Sequence, residues 1–438
     1  MNRTVIFIII LIAALAGCKT LRQGVLKKET PHEEYVSRIN GFGLDNHKIG
    51  QNWIRAGEDA MLNPVRVSIP FSEALVFDYD HLKAAAYSLF LREGQKLHIL
   101  AEPEIEDSSS VFIDLYRIDG IEFRQEAYAE KDSIRLDFMV KRDGEYIIRI
   151  QPELLTKGLF TLYLFTDASL NFPVPGKDFS SIASFFGDPR DGGNRRHEGV
   201  DIFAPHGTPA LAVGPGRVTR TGNNRLGGKV VWVSDHERGY NYYYAHLDSQ
   251  LVHPGMRVQA GDTLGLIGNT GNAVTTPPHL HFGIYAFGRR SIDPYLFFHR
   301  TTMPVIDSVQ IMQYAGKWGQ TSNPRTNFRK APGMDAEIQS TLEGQIPLKV
   351  RGITGQWLRV ELPEGQEGYV HQSLVKPAEK PVHEMVAQPG LVIRSRPLPR
   401  SQAKKITEKD EKLTVYAEYN SYLLIGTGDT FGWIESNL

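Results

Sequence analysis

His279-Leu280-His281-Phe282, entered through Pro277-Pro278, is the stretch on which the reading of the fold turns. On a strand, residues two apart share a face, so both imidazoles project to one side while Leu280 and Phe282 face a core. Two half-buried structural histidines would give the same pattern. Upstream, Tyr242-Tyr243-Tyr244-Ala245-His246-Leu247 is a run of β-formers that places an imidazole at the end of a strand. Further upstream, His197-Glu198-Gly199-Val200-Asp201 sets an imidazole and a carboxylate four apart, which an extended chain turns to the same side. Both are zinc-ligand types, and two unrelated surface residues have the same spacing. The helical H-E-x-x-H motif is excluded, because position 201 holds Asp. Between these segments, His253-Pro254-Gly255, Gly261-Asp262, Leu264-Gly265 and Gly268-Asn269-Thr270-Gly271-Asn272 supply turn glycines and match no phosphate-binding loop.

Taken in order, these segments resemble the lysostaphin/LytM-type zinc metalloendopeptidases of the bacterial cell wall. The resemblance extends through Pro205-His206-Gly207-Thr208-Pro209, Gly216-Arg217-Val218, Val252-His253-Pro254-Gly255, Ala260-Gly261-Asp262 and Gly265-Leu266-Ile267-Gly268. It implies an antiparallel β peptidase domain over 168–300. It implies that His197, Asp201 and His281 bind Zn2+ and that His246 and His279 are catalytic. Three protein ligands leave a fourth position open, and a zinc-bound water there, assisted by the two histidines, would hydrolyse peptide cross-links of peptidoglycan. The implied partners are stem or bridge peptides. Two departures bear on substrate preference: Pro277-Pro278 precedes His279, and 187–196 lacks the tyrosine that relatives often carry before the first ligand. The alternative within the same resemblance is a non-catalytic activator of other wall hydrolases. All five site residues are present here, which favours the enzyme.

The flanks read as mainly β. Over 64–167 the period is two: Leu136 and Phe138 alternate with Arg135 and Asp137, and Tyr146, Ile148 and Ile150 repeat the pattern. With turns at Asp143-Gly144 and Lys157-Gly158, this predicts a β-sandwich. Residues 301–326 read as a linker. Beyond it, Asn327-Phe328-Arg329 is echoed by Val392-Ile393-Arg394, and Gly368-Tyr369-Val370 by Gly432-Trp433-Ile434. The repeat resembles tandem bacterial SH3-like domains, at 327–377 and 385–438, which implies wall or peptide binding.

The N-terminus carries Arg3, an apolar run from Val5 to Leu15, and Ala16-Gly17 ahead of Cys18, the single cysteine. This reads as a lipoprotein signal peptide over 1–17 with lipid attachment at Cys18, followed by a short helical segment over 18–63. Thr30-Pro31-His32-Glu33-Glu34 predicts a helix start there, and a second helix is expected from about Asn46 to Met61. Lys19 after the cysteine favours an outer membrane facing the periplasm. The net charge of −1 over 438 residues, with no basic or acidic tail, offers nothing to nucleic acid.

Overall fold

The computed structural model describes residues 28–78, 84–104, 110–288, 291–378, 380–427 and 430–436. The expected signal peptide and Cys18 lie outside these residues. Among the described residues, no helix is long and apolar enough to cross a membrane.

The chain divides into two compact units, 1–51 and 52–438. In the first, the helix Pro31–Gly41 begins as expected. Thr30 accepts from the Glu33 N–H, and the Glu33 carboxylate accepts from the Thr30 N–H. A second helix, Lys48–Leu62, follows, and from Asn52 onward it belongs to the second unit. Its Trp53 is buried, donates its indole N–H to the Pro152 carbonyl at 2.9 Å, and accepts from the Gln151 amide at its own carbonyl.

Two sheets then pack face to face. One orders Val65–Arg66, Ala85–Leu91, Gly144–Pro152, Val111–Asp119 and Glu122–Tyr128. The other runs Phe71–Phe77, Gly158–Asp167, Lys96–Pro103 and Arg135–Met139. Alternate residues such as Leu97, Ile99, Leu162 and Leu164 meet Tyr87, Leu89, Ile148 and Ile150 between them, as the period-two pattern requires.

The second sheet does not end at the sandwich. Phe71–Phe77 also pairs with Pro347–Thr354, placing Ala74 opposite Ile353 and Leu75 opposite Gly352. The edge that a sandwich would leave open is thus closed by a strand about 275 residues away along the chain. A buried ionic cluster lies across the junction. The Arg359 guanidinium donates to both Glu73 carboxylate oxygens at 3.0 and 3.1 Å. The Tyr87 and Tyr369 hydroxyls donate to the same carboxylate at 2.5 and 3.0 Å. Burial works against the charged guanidinium, but Glu73 together with Tyr369, Tyr87 and Glu367 outweighs it and holds Arg359 well above its ordinary range. Removing one member of such a pair strands the other charge. Arg359→Met is therefore expected to destabilise this unit by about 3–5 kcal/mol. The double replacement of Arg359 by Met and Glu73 by Gln should recover part of that loss. Urea midpoints followed by tryptophan fluorescence would show it; equal midpoints for wild type and Arg359→Met would refute it.

The stretch expected as a linker is structured instead. Ser308–Tyr314 is a helix capped by Asp307, and Tyr314, Ile306 and Ile311 pack into the core of the neighbouring barrel. Trp318–Thr321 pairs with Pro347–Thr354 and Val375–Pro377. The glycines and prolines in this stretch thus mark turns between short elements. A further six-stranded sheet spans His383–Glu435. It meets the first barrel through Trp318 against Trp433, ring centroids 5.7 Å apart, and through Arg396 on Glu361.

The candidate site lies on a ten-stranded sheet. Its principal strands are β1 (Val200–Phe203), β2 (Gly216–Asn224), β3 (Gly228–Asp235), β4 (Tyr240–Gln250), β5 (Thr263–Ile267) and β6 (His279–Ala286). They are antiparallel in the order β1-β6-β4-β3-β2, with β5 beside β4. Val200, Ile202, Tyr242, Tyr244, Leu280 and Phe282 form one buried face. The opposite face carries Asp201, His279 and His281. The sandwich touches this sheet at its far end: Tyr240 donates to Glu93 at 3.0 Å, and Phe297 lies against Gly94. Tyr240 stands opposite Ala286, whereas His281 stands opposite Ala245, five register positions away.

Candidate metal centre

Asp201 on β1 is paired directly with His281 on β6, so both side chains leave the sheet from the same face. His197 reaches them from the loop before β1. Its Nδ1 donates to the Phe185 carbonyl at 2.9 Å, leaving Nε2 bare toward the other two. The three potential ligand atoms form a small triangle. His197 Nε2 is 2.9 Å from His281 Nδ1 and 3.1 Å from Asp201 Oδ1, and His281 Nδ1 is 3.0 Å from the same oxygen. A tetrahedral ion with bonds near 2.0–2.1 Å spaces its ligands by about 3.3–3.4 Å. The triangle therefore accepts such an ion with a slight expansion. The donor chemistry also fits. The single hydrogen that His281 Nδ1 can carry serves one neighbour only, while a cation satisfies all three atoms together. Among the described residues these three form the one His/Asp/Glu group that could hold a metal. Burial alone would raise the Asp201 carboxyl, but its interactions with His197 and His281 hold it well below the ordinary carboxylate range. Burial lowers His281, against the pull of Asp201.

Behind the triangle, Arg190 donates to Asp201 Oδ2 at 2.8 Å and to Ser184 Oγ at 2.5 Å. The loop that lacks a tyrosine thus carries a guanidinium that orients a potential ligand. Partners of this kind set ligand geometry. Arg190→Ala should weaken metal affinity about 10–100-fold, with Arg190→Lys between it and wild type, measured by competition with a chelating dye. Unchanged affinity would remove this role. Gly199 is required for a different reason. A Cβ there would lie 2.9 Å from the His281 ring and 2.3 Å from the Phe282 carbonyl.

His279 lies two residues before His281 on the same face of β6. Its Nδ1 donates to the Pro277 carbonyl at 2.9 Å, so the unusual Pro-Pro entry still supplies the acceptor. His246 arrives by another route. Strict alternation along β4 would send it to the core face with Tyr242 and Tyr244. Instead its backbone takes φ +60°, uncommon for a residue with a side chain. Hydrogen bonds hold that turn on both sides: the His246 N–H donates to Gly227 at 2.7 Å, and its carbonyl accepts from Gly268 at 3.0 Å. The ring thereby lies 4.9 Å from that of His279 and 5.9 Å from that of His281, centroid to centroid. Its Nδ1 donates to the Thr270 carbonyl at 2.9 Å. Burial pushes the imidazole down to about 4, with the Thr270 bond acting in the opposite sense. Both rings therefore present a bare Nε2 beside the triangle.

The structure brings all five expected residues to one place. Glu198 stays outside the triangle, near the Tyr285 hydroxyl at 3.4 Å. Arg190, Thr270 and Gly199 were not singled out from sequence. Thr270 lies in a turn whose glycines were the visible signal, and its hydroxyl donates to the Leu247 carbonyl, holding the turn against β4.

Residues 195–294 match the model of peptidase family M23, and residues 324–376 that of the bacterial SH3 domain. An L-Ala--D-Glu endopeptidase of Bacillus subtilis (strain 168) is 34% identical over 178 residues, 38% of this chain and 54% of that protein. The peptidoglycan DD-endopeptidase ShyC of Vibrio cholerae is 38% identical over 109 residues, 24% of each chain. The uncharacterized lipoprotein YgeR of Escherichia coli (strain K12) is 40% identical over 105 residues, 24% of this chain and 39% of that one. This chain thus spans about half or less of the length of these curated relatives. The resemblance seen in the sequence and the geometry of the site meet in the same residues: the chain carries a peptidase family M23 domain at 195–294, followed by a bacterial SH3 domain at 324–376.

Proposed function

We propose that this chain is a zinc-dependent endopeptidase that hydrolyses peptide cross-links of bacterial peptidoglycan. The observation that carries the reading is the joint geometry of the site: a compact His197–Asp201–His281 triangle with two further imidazoles, His246 and His279, each tethered at Nδ1 and bare at Nε2. The endopeptidase names of the Bacillus and Vibrio relatives support the substrate class. Zinc suits a set of two nitrogens and one oxygen with an open fourth position.

Held by His197, Asp201 and His281, zinc would supply Lewis acidity to polarise the scissile carbonyl and to make a water molecule acidic enough to attack near neutral pH. The protein's own groups do the rest. Asp201, anchored by Arg190, and His197, anchored by the Phe185 carbonyl, keep the ligand atoms converged. The bare Nε2 of His246 or of His279 accepts the proton of the attacking water, and the Nε2–H so formed donates to the oxygen that gains charge. One of them, once protonated, returns that proton to the leaving nitrogen as the C–N bond breaks. A water is consumed, and a carboxylate and an amine are released.

We place the protein at the cell envelope, held through a lipid on Cys18, with the outer membrane facing the periplasm as the site. The signal-like N-terminus and the lipoprotein name of the Escherichia relative support this. The expected domain limits, 64–167 for the sandwich and 168–300 for the peptidase, are proposed on the same footing. The two SH3-like domains, 327–377 and 385–438, are proposed to hold the wall.

Digestion of purified peptidoglycan, with mass spectrometry of the products, tests the activity. Cross-linked fragments should collapse to monomers, and a zinc chelator should stop it. A zinc-loaded protein that leaves walls of several cross-link types intact would reject the enzyme in favour of a regulator.

A further inference from the structure

Beyond the triangle, the same face of the sheet carries an aromatic shelf. Directly paired residues share a face, and the registers Trp232–Tyr243, Tyr243–Gly283 and Ala245–His281 place Trp232 and Tyr243 beside the catalytic face of β6. Tyr285 follows His281 on that face by alternation. The three rings touch: Trp232 lies 4.5 Å from Tyr243 and 5.2 Å from Tyr285, and Tyr243 lies 5.9 Å from the His281 ring. All three are half-buried. Gly283 at the centre leaves room for the arrangement, since a Cβ there would approach the Tyr285 ring to 3.1 Å.

Trp232 packs on Tyr243 and Tyr285 at interplanar angles of 39° and 48°, and Tyr243 meets Tyr285 edge to face at 81°. They form a continuous surface, not a cage for a cation. Its rim is polar. Asn224 and the Arg220 charge lie near the Tyr243 hydroxyl, and the Tyr285 hydroxyl reaches Glu198. An apolar floor of Trp and Tyr with hydrogen-bonding groups around it matches a pyranose ring, which has an apolar C–H face and a belt of hydroxyl and amide groups. The spacing agrees. Two to four strand positions separate Gly283 and Tyr285 from His281, roughly 7–14 Å, which an extended peptide crosses in about two to four residues. A stem peptide joined to its glycan has that order of length.

We propose that Trp232, Tyr243 and Tyr285 form a saccharide subsite, so that the enzyme recognises the glycan strand bearing the stem peptide as well as the bond it cuts. The inference rests on the endopeptidase reading above. The test compares two substrates with the full chain purified in detergent: a cross-linked muropeptide dimer carrying its sugars, and the same dimer stripped of sugar by an amidase. Wild type should show kcat/KM about three- to tenfold higher on the sugar-bearing dimer, the scale of one good aromatic stacking contact. Trp232→Ala and Tyr285→Ala should bring the ratio close to one through loss on the sugar-bearing dimer, and Trp232→Phe should retain most of it. A wild-type ratio near one overturns the proposal. So does an equal loss on both substrates in the variants, which would assign the shelf to the peptide or to packing. Cleavage of neither dimer by the zinc-loaded wild type would instead reject the endopeptidase reading beneath it.

Discussion

His281→Ala is expected to leave the protein folded but without stoichiometric metal, and to lower cross-link cleavage by about 10³-fold or more. His281 is the corner at which the triangle is assembled. Its Nδ1 is within 3.0 Å of both His197 Nε2 and Asp201 Oδ1, so its loss leaves two ligands and removes a hydrogen-bond donor to Asp201. It also stands on β6, in direct register with Asp201 on β1 and Ala245 on β4. The sheet does not need its imidazole, and the buried neighbours Leu280 and Phe282 keep the strand in place. Circular dichroism should therefore be unchanged, while elemental analysis falls from about one zinc per chain to a small fraction, as expected for a site reduced to two ligands. A variant that retained a full equivalent of zinc and normal turnover would place the metal elsewhere.

The second large effect separates catalysis from metal binding. His246→Ala should keep its zinc and lose about 10²–10⁴-fold in kcat, the usual contribution of a positioned acid–base group. The ring does not belong to the triangle. Its Nδ1 is committed to the Thr270 carbonyl, which directs Nε2 toward the site and fixes which nitrogen is bare. Because burial holds its pKa at about 4, the imidazole is neutral at neutral pH and free to accept a proton. His279, tethered to Pro277, is expected to respond in the same direction. Single-turnover rates beside zinc content decide the matter. Parallel loss of metal and rate in His246→Ala would make it a ligand-supporting residue, and an unaffected rate would remove it from the reaction.

The residues of the site were legible in the chain because two periodicities coincide there. In His279-Leu280-His281-Phe282, alternation assigns the imidazoles to one face and the apolar residues to the other, and the structure buries Leu280 and Phe282 accordingly. The same rule serves Val200 and Asp201. It fails at His246, where the rule predicts the core face and a positive φ turns the ring outward. A left-handed backbone at a histidine is a property of its hydrogen-bonding surroundings, here Gly227 and Gly268, which are distant in sequence. The capping box of the first helix and the turn glycines were equally local, and equally legible. The 301–326 segment was misread because its turn residues are conspicuous, whereas the burial of Ile306, Ile311 and Tyr314 depends on a barrel that arrives later in the chain.

What the sequence by itself determined is the β character, the identity of the three potential ligands and two further histidines, and the family to which 195–294 belongs. The β character follows from residue type and the period of two, and the five residues and the family follow from the order and flanks of the motifs, through the resemblance they carry. What only the tertiary structure decided is which atoms converge. It showed that Arg190 backs Asp201, that the Thr270 carbonyl orients His246, that Trp232, Tyr243 and Tyr285 make one shelf, and that Arg359 meets Glu73 across a sheet shared by two folds. Each of these depends on strand register between segments far apart in the chain. Register is chosen by the combined burial of whole faces, and no local spacing encodes it.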